Sequence, residues 1–478
     1  MESHISTLDT HEIAEQYDRK KFMLLGITFF FVIAAYTVVQ ALKDSIFAHI
    51  VGAQFVNEAR YGSMLVLTTA VLIYSRLVDS LRRYYLLCLY ALLYAVGCLL
   101  FAYYLADPVI GISNEQASYS RWFGWLFYFF SEGFSPFVVS VFWAFMNSIS
   151  SPQNAKKRYG NITACSKVGG ILSAAFCIFI LNCKNGLGQL MFTDIAAHQL
   201  LLMFAATCLG AIPCVIIYLM YAVPGRFLHG YEAVYKAEKT RKEQGKAKTG
   251  VLEGIRMLIK YPYVMGIFGM VFFYEITMVV ISYLRLVVAK ECSNSISEVS
   301  SFLFYNVLIT HAVGFLISYF GTRSLLQKLG ERLCLLLIPF TIGIVLTLFM
   351  FQSANPTLVV FAYVMLKSVN YAFSWPVREG LYIPTVKAIK FKSKSWIDAF
   401  GSKFAKSSGA TFNLFARWLG PSLFVPAHAL FFVTVIGFWT ATAWLLGKRF
   451  EQLVKHNEVV GYEEESDEQE HKETTAAQ

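Results

Sequence analysis

Apolar residues in this chain of 478 arrive in uninterrupted blocks of about 20, long enough to cross about 30 Å of hydrocarbon as helices. Inside a bilayer a backbone can satisfy its own N–H and C=O groups only as a helix or a closed barrel, and blocks of this length specify helices. Hydropathy predicts spans at roughly 22–42, 61–78, 84–105, 122–146, 159–181 and 197–222. A second set is predicted at roughly 262–287, 299–320, 333–351, 356–373, 396–418 and 426–446. The fold class is therefore an all-α polytopic membrane protein of about twelve transmembrane helices in two pseudo-repeated six-helix halves. Only 15% of residues are charged, against about 25% in soluble domains. Soluble, disordered and secreted disulfide-rich classes are excluded together, and the nine cysteines form no CxxC pair.

The net charge of +10 is no nucleic-acid footprint, because its meaning depends on placement. Most basic residues fall in alternate loops, about 30 on one side against about 7 on the other, which by the positive-inside rule predicts both termini in the cytoplasm. The expected organisation is an N-terminal segment 1–21 without signal-peptide character, a first half 22–222, a basic linker 223–261, a second half 262–446 and a tail 447–478. Lys387, Lys390, Lys392 and Lys394 form another basic cluster, read as a topology anchor or a steering surface. The acidic run from Glu463 to Glu473 reads as a solvated tail.

The halves echo one another. WAFMNSISSPQNAKKRYGN, from the fourth span into the fifth, is answered by YAFSWPVREGL, from the tenth towards the eleventh. SKVGGIL parallels AKSSGAT, placing Lys167 opposite Lys406 at a separation of 239 residues. Repeated halves characterise transporters that rock one half against the other around a midplane site. Lys167, Lys367, Lys403 and Lys406 all fall inside predicted spans. Each costs about 2.5–3.5 kcal/mol at a helix centre, so they are expected to face a wet cavity. Lys403 and Lys406 share a helix face with Ser402, Ser407 and Asn413 nearby, and Asp398 is the carboxylate expected beside them. Ammonium groups suit phosphate oxygens. Tyr36, Trp143, Phe145, Tyr371 and Trp375 are candidates to stack a base. Gly160, Gly169, Gly170, Gly401 and Gly409 permit close approach of either a helix or a ligand.

Enzyme signatures are absent from the sequence: there is no GxxxxGK[ST], HExxH, GxSxG or EF-hand loop, so neither catalysis nor a cofactor or metal is expected. His311 and His428 are read as structural, with proton relay as the alternative.

SKSWIDAFGSKFAKSSGAT (393–411) resembles the most characteristic segment of the bacterial and plastid ATP/ADP translocase family. The family's basic-Glu-x-x-Tyr-Ile-Pro element is matched by Arg378, Glu379, Tyr382, Ile383 and Pro384, and its Lys-Asp by Lys43 and Asp44. Its fourth-to-fifth linker is matched by Trp143, Phe145, Asn147, Ala155, Lys156, Tyr159 and Gly160. The resemblance implies a major-facilitator-like fold in a bacterial inner membrane and ATP/ADP exchange by alternating access. The substrate residues it implies are Lys43, Lys167, Lys403, Lys406, Asn147, Asp398, Ser402, Ser407, Glu379 and Arg378, with Arg285 and Asp44 at the entrance. Partners are a nucleotide or related polyanion and membrane lipids, with no nucleic acid; the oligomeric state is left open. Gln40, Ser148 and Trp375 stand where the family usually has charged residues, and Ile281 where it brings a glutamate, with Glu275 about two turns earlier. Other nucleotides, NAD or another organic phosphate, taken up with or without protons, therefore stay open as cargo.

Overall fold

The structure is a computed structural model that describes residues 2–150, 152–184, 189–225, 228, 251–317, 323–352, 355–386, 389 and 393–461. Most of the basic linker, Lys387, Lys390 and Lys392, and the acidic tail lie outside the described residues. The described chain is almost wholly helical: α1 Glu2–Phe47, α2 Val56–Ser80, α3 Arg83–Tyr104, α4 Trp122–Glu132, α5 Ser140–Ile149, α6 Pro152–Asn182, α7 Asp194–Ala222 and α8 Val251–Lys260. It continues with α9 Pro262–Glu291, α10 Ile296–Leu316, α11 Arg323–Phe351, α12 Pro356–Val369, α13 Trp375–Leu381, α14 Ser402–Trp418 and α15 Pro421–His456.

Among the described residues, ten segments are long and apolar enough to cross a membrane. Two effects separate that number from twelve. The first two predicted spans run together as Glu15–Ala70, joined by a π-turn at Ala48–Gly52 and a short 3-10 turn at Ala53–Phe55. Gly52 makes that corner at φ 120°, a conformation closed to residues with a Cβ. The eleventh span is the other: α14 has 17 residues, with Lys403, Lys406 and three serines among them. Its polarity is a property of the helix that carries the predicted site.

Helix ends follow local chemistry. Thr193 caps α7 by accepting from the Ala196 N–H, and Asn355 caps α12 by accepting from the Thr357 N–H with Pro356 as the first helical residue. In the loop before α4, the Ile110 and Val109 amides both donate to Asp107 and hold its carboxyl below the usual carboxylate range. After α15, Val460 pairs with Pro384 and Val386 through two backbone hydrogen bonds of 3.0 and 3.1 Å, tying this segment to the stretch after α13.

The chain forms two compact units. The first comprises residues 1–246 and 289–312, and the second residues 247–288 and 313–478. In the first, α1 packs along α6 and α7, and α3 along α7. Gly169 lets α6 approach α1: a Cβ there would stand 2.6 Å from the Phe30 carbonyl oxygen. In the second unit, a Cβ on Gly409 of α14 would meet the Ile276 carbonyl oxygen of α9 at 2.9 Å. For these two glycines the structure thus chooses helix packing over ligand approach. Gly409→Ala is expected to destabilise the protein by about 1–3 kcal/mol through overpacking. Thermal unfolding of the detergent-solubilised protein checks it, and an unchanged midpoint would disprove the close contact.

Around α10's first turns the first unit holds a polar seam. Ser297 Oγ donates to Asp194 at 2.6 Å and Asn182 Nδ2 donates to Ser301 at 3.1 Å. Buried His198 meets the Asp194 carbonyl at 2.6 Å through Nδ1 and Ser300 Oγ at 2.8 Å through Nε2, and Ser300 donates onward to Ser45 at 2.8 Å. Both ring nitrogens being engaged, this histidine ties three helices together.

Candidate functional site

Lysines placed in apolar helices need a counter-charge, and the structure supplies one from a neighbouring helix in each unit. In the first unit, Lys43 of α1 is buried and its Nζ donates to Glu132 of α4 at 2.5 Å and to Gln40 Oε1 at 3.2 Å. Asp44 stands 3.6 Å away, and the ammonium lies 4.8 Å from the Tyr128 ring centroid. Gln40 also donates to the Ser131 carbonyl at 2.7 Å, so it splices Lys43 to the end of α4. Glu132 was not among the sequence candidates. Its signal was available, as an acid 89 residues from Lys43 in an otherwise apolar span.

In the second unit, Glu275 of α9 faces α14. It accepts from Ser402 Oγ at 3.0 Å and lies 3.8 Å from Lys406 Nζ. Asp398, the carboxylate expected beside the eleventh span, lies in the π-turn Ile397–Gly401 that opens it, and Glu275 is the further acid that reaches Lys406. Ile281, six residues further along α9, is fully buried in apolar contacts. Lys403 is half-buried and Ser407 buried on the same helix.

Arg378, Glu379 and Asp398 come together with Lys394, Trp375 and Tyr382, lining one small pocket. Lys394 donates to Glu379 at 2.6 Å, and the Arg378 guanidinium lies 5.6 Å from the Trp375 ring centroid. Two cations and two carboxylates balance there. The group sits against the π-turn Ile397–Gly401 that leads into α14, and so positions that helix.

The other candidates are more scattered. Lys167 is half-buried on α6, and Asn147 is exposed on α5. Arg285 is buried on α9 with its guanidinium 3.8 Å from the Tyr363 ring centroid. Among the aromatic candidates, Phe145 is fully buried in the core and presents no face to a base. Trp143 packs edge-on against Phe29 at 5.0 Å, Tyr36 leans on Phe134 at 5.7 Å, and Tyr371 and Trp375 are exposed. His428 lies between Phe412 and Phe424 with Nδ1 on the Phe424 carbonyl, and His311 is pressed against Gly170, so both have packing roles. No group of three or more metal-ligating side chains occurs among the described residues.

Residues 108–450 match the family described as TLC ATP/ADP transporter. The chain belongs to that family. Its relatives include ADP,ATP carrier protein 3 of Rickettsia conorii, 22% identical over 92% of this chain and 96% of the carrier. ADP,ATP carrier protein 4 of the same species is 21% identical over 93% of this chain and 94% of the carrier. ADP,ATP carrier protein 1 of Rickettsia bellii is 22% identical over 93% and 96%. Solved structures place the fold among major facilitator transporters. The proton:xylose symporter XylE superposes with a TM-score of 0.57 at 15% identity, over 91% of this chain and 96% of that one. The nucleoside transporter NupG gives a TM-score of 0.57 at 12% identity, over 91% and 99%. The TLC family chain described here is thus a multi-pass membrane protein of the transporter class with the major facilitator fold.

Proposed function

We propose that this chain is a secondary transporter of nucleotides, exchanging ATP and ADP by alternating access, with Lys43, Lys167, Lys403 and Lys406 supplying the charge that holds the phosphates. The observation that carries the reading is the near full-length match to ADP,ATP carriers. The geometry adds a physical route. Lys43 and Lys406 each meet a glutamate from another helix. A polyphosphate offers those ammonium groups a stronger anion than a single carboxylate, so arriving substrate competes with Glu132 and Glu275 for the same lysines. Exchange of partner, rather than creation of a bare charge, keeps the cost of the empty carrier low. An occupied site then differs in charge from an empty one, which gives the substrate the differential affinity that a conformational change requires. Both termini are placed in the cytoplasm on this reading, which follows the distribution of Lys and Arg.

Uptake of labelled ATP by cells expressing the protein, challenged with a panel of nucleotides and NAD, tests the proposal. ATP and ADP are expected to compete, and internal ADP to accelerate entry. If neither ATP, ADP, another nucleotide nor NAD enters or exchanges, the proposal fails. Uptake that needs no internal nucleotide and follows a proton gradient would replace exchange with proton-coupled import.

A further inference from the structure

Two helices of the sequence-predicted second half divide between the compact units: α9 passes from the second unit to the first at Ala289, and α10 returns to the second at Val313. The part of α10 in the first unit carries Ser297, Ser300 and Ser301, a spacing of three and four residues that puts them on one helix face. Each meets a residue of the predicted first half. Ser297 bonds Asp194 of α7 at 2.6 Å, Ser300 bonds His198 of α7 and Ser45 of α1, both at 2.8 Å, and Ser301 accepts from Asn182 of α6 at 3.1 Å. The three serines of α10, with Ser45 and His198, are buried, while Asp194 is half-buried and Asn182 exposed. The seam therefore runs from a closed centre to a rim in reach of water. In the twelve-span reading, the ends of α1 and α6 and the starts of α7 and α10 fall on one face of the membrane, opposite the termini.

We propose that this serine face of α10 is a reversible latch, the outer gate of the carrier, closed in this structure and parted when the second half rocks away from the first. The inference rests on the alternating access proposed above. Rocking of one half against the other must break whatever joins residues of different halves, and what joins them here suits repeated opening. A hydrogen bond between side chains that is exchanged for hydrogen bonds to water changes the free energy little, whereas parting an apolar contact exposes hydrocarbon to water. The seam is made of hydroxyls, one carboxamide and one imidazole, with Asp194 as its carboxylate at the rim. Opening it hydrates these groups in place. Ser300 is the pin of the latch, because its one hydroxyl engages two helices of the first half at once. Release there frees the first turns of α10 to move with its last turn, which belongs to the second unit.

The test is thiol chemistry at the seam in the full-length protein in intact cells. Ser300→Cys is treated from outside with a membrane-impermeant maleimide, and modification at that position is read by mass spectrometry against Cys292, an exposed native thiol shortly before α10. Labelling is expected at a rate at least tenfold below that of Cys292, as for a site uncovered only while the gate is open. Labelling as fast as Cys292, or none within a hundred half-times of the Cys292 reaction, overturns the inference, and so does a Cys292 that is unreactive from outside. Where Ser300→Cys does not fold, Ser297→Cys takes its place under the same criteria. In a second arm, Ser45→Cys combined with Ser300→Cys is oxidised to the disulfide. Cross-linking is expected to slow exchange of labelled ATP at least tenfold, with recovery on reduction. Undiminished exchange by the cross-linked protein overturns the gate, and where the disulfide does not form the labelling arm decides. If wild type exchanges no nucleotide, the proposed cargo fails while slow labelling at position 300 still upholds the gate.

Discussion

Lys43→Ala is expected to reduce nucleotide exchange to the background of cells lacking the protein. The substitution removes a side chain that is 9% exposed and leaves Glu132, 17% exposed, without its closest cation. Removing one partner of a buried pair costs about 3–5 kcal/mol, so loss of activity could reflect loss of fold. A second variant separates the two. Lys43→Ala combined with Glu132→Ala removes both charges and is expected to recover most of that stability while exchange stays at background. Thermal unfolding in detergent and labelled ATP uptake provide the two readouts. Uptake at the wild-type level in the single variant would take Lys43 out of the phosphate site.

The double variant Lys403→Ala with Lys406→Ala is expected to abolish uptake with little effect on stability. Lys406 is 38% exposed and its 3.8 Å approach to Glu275 is longer than a hydrogen bond. A half-exposed pair of this kind contributes less than about 1 kcal/mol. The carboxylate left behind keeps its hydrogen bond from Ser402. Membrane insertion and the unfolding midpoint should therefore stay close to wild type while ATP uptake falls to background. Unchanged uptake would remove both lysines from the site. A large loss of stability would show instead that the pair holds α9 to α14.

Span positions were legible in the sequence because each helix had to present about 20 apolar residues to lipid, and that demand leaves a local signal. The lysines were legible for the complementary reason, being costly wherever an apolar run contains them. Their partners were not. Glu132 is 89 residues from Lys43 and Glu275 is 127 residues from Ser402, and nothing local in either helix says which way it faces. The π-turns Ser135–Val139 and Asn370–Ser374 were not legible either, because only backbone hydrogen bonding reveals them. Base-stacking candidates were the least legible class, since a chain with 16% aromatic residues uses most of them for packing, as Phe145 does.

The π-turns give this architecture a dependence on phase. Each turn carries one residue more than an α-helical turn would, so side chains before and after it are rotated by about 100° relative to an uninterrupted helix. Glu132 precedes one such turn. Shortening that turn by a single residue would swing that charge roughly a quarter of the way round the helix, away from Lys43, without altering any of the residues that make contact. Length in that five-residue stretch is therefore as much a part of the site as the identity of its charges.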